Sequence, residues 1–112
     1  MKVALNDAIA KLATDPSQLL VRLLDHGSMY VEYYKPGIAD LQSPHTQDEI
    51  YVVASGEGEF IKGAEKFPFQ KGDLLFVPAG IAHHFENYSP DFATWVIFYG
   101  PTGGEKETST NM

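Results

Sequence analysis

Gly72-Asp73-Leu74-Leu75-Phe76-Val77-Pro78-Ala79-Gly80-Ile81-Ala82-His83-His84-Phe85-Glu86-Asn87 is two short apolar segments joined by a reversal. Gly72-Asp73 forms a turn that feeds a predicted strand, Leu74 to Val77. Pro78-Ala79-Gly80 then turns the chain, because Pro fixes φ and Gly allows φ > 0. A second predicted strand carries His83 on the same face as Ile81, Phe85 and Asn87, since alternate side chains share a face. His84 points the other way, toward surface or interface, and Asn87 reads as a turn-fixing residue.

Upstream lies a second set of spaced residues: Gly37, Ser43-Pro44-His45, Glu49 and Gly56, with fifteen residues between Gly56 and Gly72. Fifteen residues hold one hairpin and little else. Together the two sets resemble the paired signatures of the cupin superfamily. The second signature is a Gly, five residues, Pro-x-Gly, two residues, His, three residues, Asn; Gly72, Pro78, Gly80, His83 and Asn87 fill every position. The first is a Gly, five residues, His-x-His, three or four residues, Glu, six residues, Gly. All its spacings are kept, with one departure: Ser43 stands where the family usually has its first histidine. An alternative register places His45 on the first histidine and Gln47 on the second, at the cost of two spacings. The resemblance implies an all-β, single-domain double-stranded β-helix, or jelly-roll barrel, whose lumen can hold a ligand.

The 112 residues suffice for one domain that buries roughly two-thirds of its unfolded surface. Cysteine is absent, which removes thiolate ligands, thiol nucleophiles and disulfides together, so any metal must take nitrogen and oxygen ligands. A formal charge of −7 argues against nucleic acid or an anionic membrane as partner. No run approaches the ~20 apolar residues of a membrane span, and Asn6, Asp7 and Lys11 interrupt any signal-peptide core. The expected location is cytoplasmic.

Residues 1–16 read as a short helix packed on the barrel, capped by Asn6, with Leu5, Ala8, Ile9 and Leu12 at helical spacing and Asp15-Pro16 as its end. Residues 17–100 form the barrel. Gln18–Leu24 and Ser28–Lys35 make a hairpin across Asp25-His26-Gly27, with His26 a turn residue. Strands over 49–54, 59–62, 65–69 and 92–99 complete about eight or nine. Several strands, 29–34 and 93–99 among them, are apolar on both faces, whereas a strand with one wet face alternates. The helix covers one outer face and a second subunit the rest, which makes a homodimer the expected assembly. Residues 101–112 read as a flexible polar tail.

His45, Glu49 and His83 are the candidate metal ligands. A straight strand would separate positions 45 and 49 by about 13 Å, at ~3.3 Å per residue, so the chain must bend at Thr46-Gln47-Asp48. Two imidazoles and a carboxylate suit one divalent Fe, Mn, Ni, Co or Zn ion per chain. Gln47 is the candidate for a weak fourth oxygen ligand. Ser43, Tyr51, Phe85, Phe76 and Trp95 are candidate pocket residues. The competing reading is a metal-free pocket in which the three polar groups only hydrogen-bond one another; the cost of burying Glu49 without a cation favours the metal. No nucleophile or separate acid–base pair is visible. The implied function is a metal-dependent dioxygenase, isomerase or decarboxylase acting on a small oxygen-rich molecule. The alternative is a non-catalytic small-molecule binder, with a structural metal or none.

Overall fold

Two antiparallel sheets face each other in the computed structural model, which describes residues 1–106. Helix α1 (Leu5–Ala13) is followed by β1 (Leu20–His26), β2 (Met29–Tyr34), β3 (Asp48–Ser55), β4 (Glu57–Lys62), β5 (Glu65–Gln70), β6 (Leu74–Val77), β7 (His83–Glu86) and β8 (Ala93–Tyr99). One sheet has the order β1-β2-β8-β3-β6 and the other β5-β4-β7. This is the all-β jelly roll with a short N-terminal helix that the sequence implies.

Alternation sets what each strand offers the interior. Glu49, Tyr51 and Val53 of β3, Leu75 and Val77 of β6, His83 and Phe85 of β7, and Val96 and Phe98 of β8 are all buried. Most of them form one core cluster with Tyr34, Phe60, Phe69 and Phe92. Five phenylalanine and tyrosine rings at its centre meet edge-on or tilted, with centroids 4.7–5.7 Å apart from Tyr51 through Phe85 to Phe92, the arrangement ring quadrupoles favour. Pro68 cannot donate to a ladder and sits in β5, an edge strand, opposite Glu59.

The outer face of the larger sheet carries a second cluster. Ala8 of α1 packs with Tyr33, Ala54 and Ala93, flanked by Leu5, Leu12, Val21, Leu23 and Trp95. The two-faced apolar character of β2 and β8 thus reflects a helix lying over their outer side. Asn6 is not the cap of α1: Ala4 holds that position, and the Asp7 carboxylate accepts the Ala4 N–H at 3.0 Å. The first hairpin turns at Gly27-Ser28 rather than across Asp25-His26-Gly27, so His26 ends β1, and a bulge at Leu23 shifts the register between Arg22 and Leu24.

Residues 101–106 are tied to the barrel rather than loose. Gly103 N–H donates to Thr46 O at 2.6 Å and Glu105 N–H to Asp48 Oδ2 at 2.7 Å. The rest of the expected tail, 107–112, lies outside the described residues.

Candidate metal centre

The bend expected between positions 45 and 49 is present, and its side chains hold it. Gln47 Nε2 donates to Ser28 O (2.9 Å) and Gly100 O (2.8 Å), binding the bend to the β1–β2 turn and the end of β8. The buried Asp48 carboxylate accepts from Ala79 N–H (2.9 Å) and Glu105 N–H, and Gly80 N–H donates to His45 O (2.8 Å). The Pro78–Gly80 turn is thereby fixed against the segment that delivers His45. Gln47 thus serves as a clamp on the bend, its amide nitrogen committed to two backbone carbonyls.

His45, Glu49 and His83 converge, with one donor atom from each lying within 4.8 Å of the others. His83 Nε2 is 2.7 Å and His45 Nε2 3.8 Å from Glu49 Oε1. The Glu49 and His83 side chains are 1% and 0% exposed, whereas His45 is 34% exposed and marks the open side. His83 Nδ1 lies 2.8 Å from Ile81 O. A carbonyl only accepts, so the ring proton belongs on Nδ1 and Nε2 presents its lone pair to the site. In the neutral ring two lone-pair atoms face each other at 2.7 Å, and in the protonated ring Nε2–H donates to Glu49 Oε1 across the same gap. Burial pulls the His83 pKa down, but Glu49 and the Ile81 contact outweigh it and leave the ring above its ordinary value. The pocket calls for positive charge, as a proton or as a metal ion. Metal–ligand bonds near 2 Å place neighbouring donors about 3.0–3.4 Å apart, so small side-chain adjustments fit this set to one ion.

Around this group lie residues that sequence reasoning missed. Asp40 is buried and accepts from Tyr34 O–H (2.6 Å), Gln42 Nε2 (2.6 Å) and Phe85 N–H (2.8 Å). Gln42 Oε1 accepts from Tyr51 O–H at 2.8 Å and lies 3.4 Å from His45 Nε2. Burial, with Glu49 nearby, holds the Tyr51 phenol well above its usual range, so it stays a donor. The only sequence signal for these residues was an Asp-x-Gln pair in a loop, which looks like any solvated loop.

The pocket candidates divide. Tyr51 and Phe85 are buried beside His83, the Tyr51 ring centroid 6.0 Å from that of His83. Ser43 is exposed and Gln42 occupies the interior instead. Phe76 is on the outer face of β6, 41% exposed, with Lys62 Nζ 5.5 Å from its ring centre. Trp95 is on the outer face of β8 against Tyr33, under α1. A cleft of about 320 Å³ opens at His45, lined by Leu19, Leu20, Glu32, Leu41, Val96 and Phe98 among others. A larger recess of about 730 Å³, between Glu57 and Tyr88, holds none of the three candidate ligands.

A two-sheet antiparallel barrel with two imidazoles and a carboxylate gathered beside an open cleft defines the class of fold. The chain belongs to the cupin domain family, whose sequence profile matches residues 30–99. It is 42% identical over 65 residues to an uncharacterised protein of Streptomyces coelicolor, a match that takes in 58% of this chain and 62% of the relative. The match therefore spans less than two-thirds of that relative's length. Among solved structures, a cupin 2 conserved barrel domain protein from Salinispora arenicola superposes with a TM-score of 0.67 at 21% identity, over 89% of each chain. A Neisseria meningitidis protein gives 0.69 at 16% identity, over 89% of this chain and 100% of the other. At these identities the structures speak for the fold alone.

Proposed function

We propose that this chain binds one divalent first-row metal (Fe, Mn, Ni, Co or Zn) through His45, Glu49 and His83, and acts on a small oxygen-bearing molecule as a dioxygenase, isomerase or decarboxylase. The observation that carries the metal reading is the fully buried Glu49 carboxylate 2.7 Å from His83 Nε2, with His45 on the open side. An uncompensated buried carboxylate costs several kcal/mol, and a cation between these atoms removes that cost. When bound, the metal supplies a Lewis-acid centre or, for a redox-active ion, a site for dioxygen chemistry.

The chain's own residues set the rest. Ile81 O holds the His83 ring in its ligating tautomer. Leu19, Leu20, Leu41, Val96 and Phe98 line the cleft and exclude water from the apolar body of a substrate. Glu32 sits on the same wall with its side chain 13% exposed and Arg22 3.7 Å away. Burial raises its pKa, so it is suited to hold or return a proton there. The ligand class that fits has a small apolar body and chelating oxygens.

Elemental analysis of protein purified without an affinity tag, beside His83→Ala, tests the reading. The expected result is close to one equivalent of metal, lost in the variant. No metal in the wild type after anaerobic loading with Fe(II), Mn(II), Ni(II) or Zn(II) overturns it.

The apolar cleft at His45 equally suits a non-catalytic binder. Ligand retention without turnover in oxygen-uptake and decarboxylation screens would favour that second reading. We further propose a cytoplasmic homodimer without nucleic-acid or membrane partners. Leu74 and Phe76, 63% and 41% exposed on the outer face of β6, support self-association. Light scattering at micromolar concentration checks it, and a monomer would refute it.

A further inference from the structure

The orientation of the Gln42 amide is settled by its neighbours. Its nitrogen faces Asp40 at 2.6 Å, and a carboxylate accepts only, so Nε2 belongs on that side. Asp40 cannot turn away, because Tyr34 O–H and the backbone N–H of Phe85 hold it from two strands. Gln42 Oε1 must therefore face the interior. There it accepts one hydrogen bond from Tyr51 O–H at 2.8 Å and lies 3.4 Å from His45 Nε2.

An amide oxygen has two lone pairs, and Tyr51 takes one. The other faces the edge of His45 that also lies 3.8 Å from Glu49 Oε1. The Gln42 amide oxygen thus borders the same His45 nitrogen as the Glu49 carboxylate. Its 3.4 Å separation from Nε2 matches the spacing of two neighbouring ligands about 2 Å from one ion.

We propose that Gln42 Oε1 is a fourth protein ligand, completing a two-nitrogen, two-oxygen set and taking over the role left open by the serine at position 43. Asp40, Tyr34 and Tyr51 are the positioning residues that aim it. A neutral oxygen in the set favours ions that accept mixed nitrogen and oxygen ligands, Mn(II), Fe(II), Co(II) or Ni(II), over those that prefer sulfur. The inference rests on the proposal that His45, Glu49 and His83 bind a metal.

The test is titration of metal-stripped protein with Mn(II), read by a competing chelator, together with water-proton relaxation of the loaded protein, which counts waters on the ion. Wild type, Gln42→Ala, Gln42→Met, Ser43→Ala and His83→Ala are compared. Gln42→Met keeps the length and bulk of the side chain, so the comparison survives if the alanine variant folds poorly. Both Gln42 variants are expected to bind Mn(II) at least about tenfold more weakly and to gain one bound water, with Ser43→Ala unchanged. Wild-type affinity and water count in Gln42→Met, or losses in Ser43→Ala instead, would overturn the assignment while leaving the three-residue site intact. Absence of Mn(II) binding in the wild type overturns both readings, whereas loss confined to His83→Ala overturns this one alone.

Discussion

Glu32 shows how one side chain's surroundings set its behaviour. It points inward from β2 opposite Val96, with Arg22 3.7 Å away and its side chain mostly covered. Burial is the largest influence on it and raises its pKa; Arg22 opposes the rise, while Glu49 and Asp25 add to it. A carboxyl whose folded pKa lies above its unfolded value adds stability below the unfolded value and loses it as pH climbs through the folded one. Glu32→Gln has no such loss. The Tm difference, variant minus wild type, should therefore increase between about pH 4 and about pH 7. A difference that is flat or falls over that range would show that Arg22 compensates the charge. The same scale explains two misplaced aromatics. Phe76 and Trp95 read as pocket candidates, but β6 and β8 are apolar on both faces, so alternation there carries no phase. What fixes the phase is contact with other elements: Trp95 meets Tyr33 beneath α1, while Leu75, Val77 and Val96 turn inward.

Elements place the site through their ends. The motif glycines and Pro78 were legible because each turn type demands its residue. Gly80 has φ +81°, and Gly56, at φ +82°, also leaves no room for a side chain: a Cβ there would lie 2.5 Å from Phe92 Cα. Gly72 has φ +91° but open space around it. Gly56→Ala should therefore cost more than the 1–3 kcal/mol or so of backbone strain alone, and Gly72→Ala no more than that. Equal Tm losses in the two variants would mean that Phe92 moves aside freely. The bend before β3 was legible as a need but not in its means. Sequence distance hid that Ser28, Gly100 and Glu105 meet at positions 46–48, so Gln47 looked available as a ligand when it is a clamp. Gln47→Ala removes two hydrogen bonds to backbone carbonyls, worth about 1–3 kcal/mol together. It should lower the Tm of metal-stripped protein by several degrees, with the number of waters on bound Mn(II) unchanged. A gained water would return Gln47 to the metal.

At the scale of the whole molecule, the barrel surrounds a group that opposes its own stability. An aromatic core encloses Glu49, whose charge partners among the described residues are the rings of His83 at 2.7 Å and His45 at 3.8 Å. Burying an unpaired charge costs far more than burying an amide, so the metal-free fold carries a penalty that a cation relieves. Glu49→Gln separates the two contributions. The amide can donate to His83 Nε2, which lies 2.7 Å from Oε1 in the native protein, and it brings no charge. In chelator-treated protein near pH 8 the variant should unfold at a higher temperature than the wild type. The gain should be on the order of 1 kcal/mol or more. Adding Ni(II) or Mn(II) should reverse the order. A ligand at 100 times its Kd stabilises the folded state by about 2.7 kcal/mol, a Tm rise on the order of 10 °C for a domain of this size. Wild type should show that rise and the variant little of it. A Glu49→Gln protein less stable than wild type without metal would mean that the fold satisfies the carboxylate by itself, and the chief argument for a cation in this barrel would be lost.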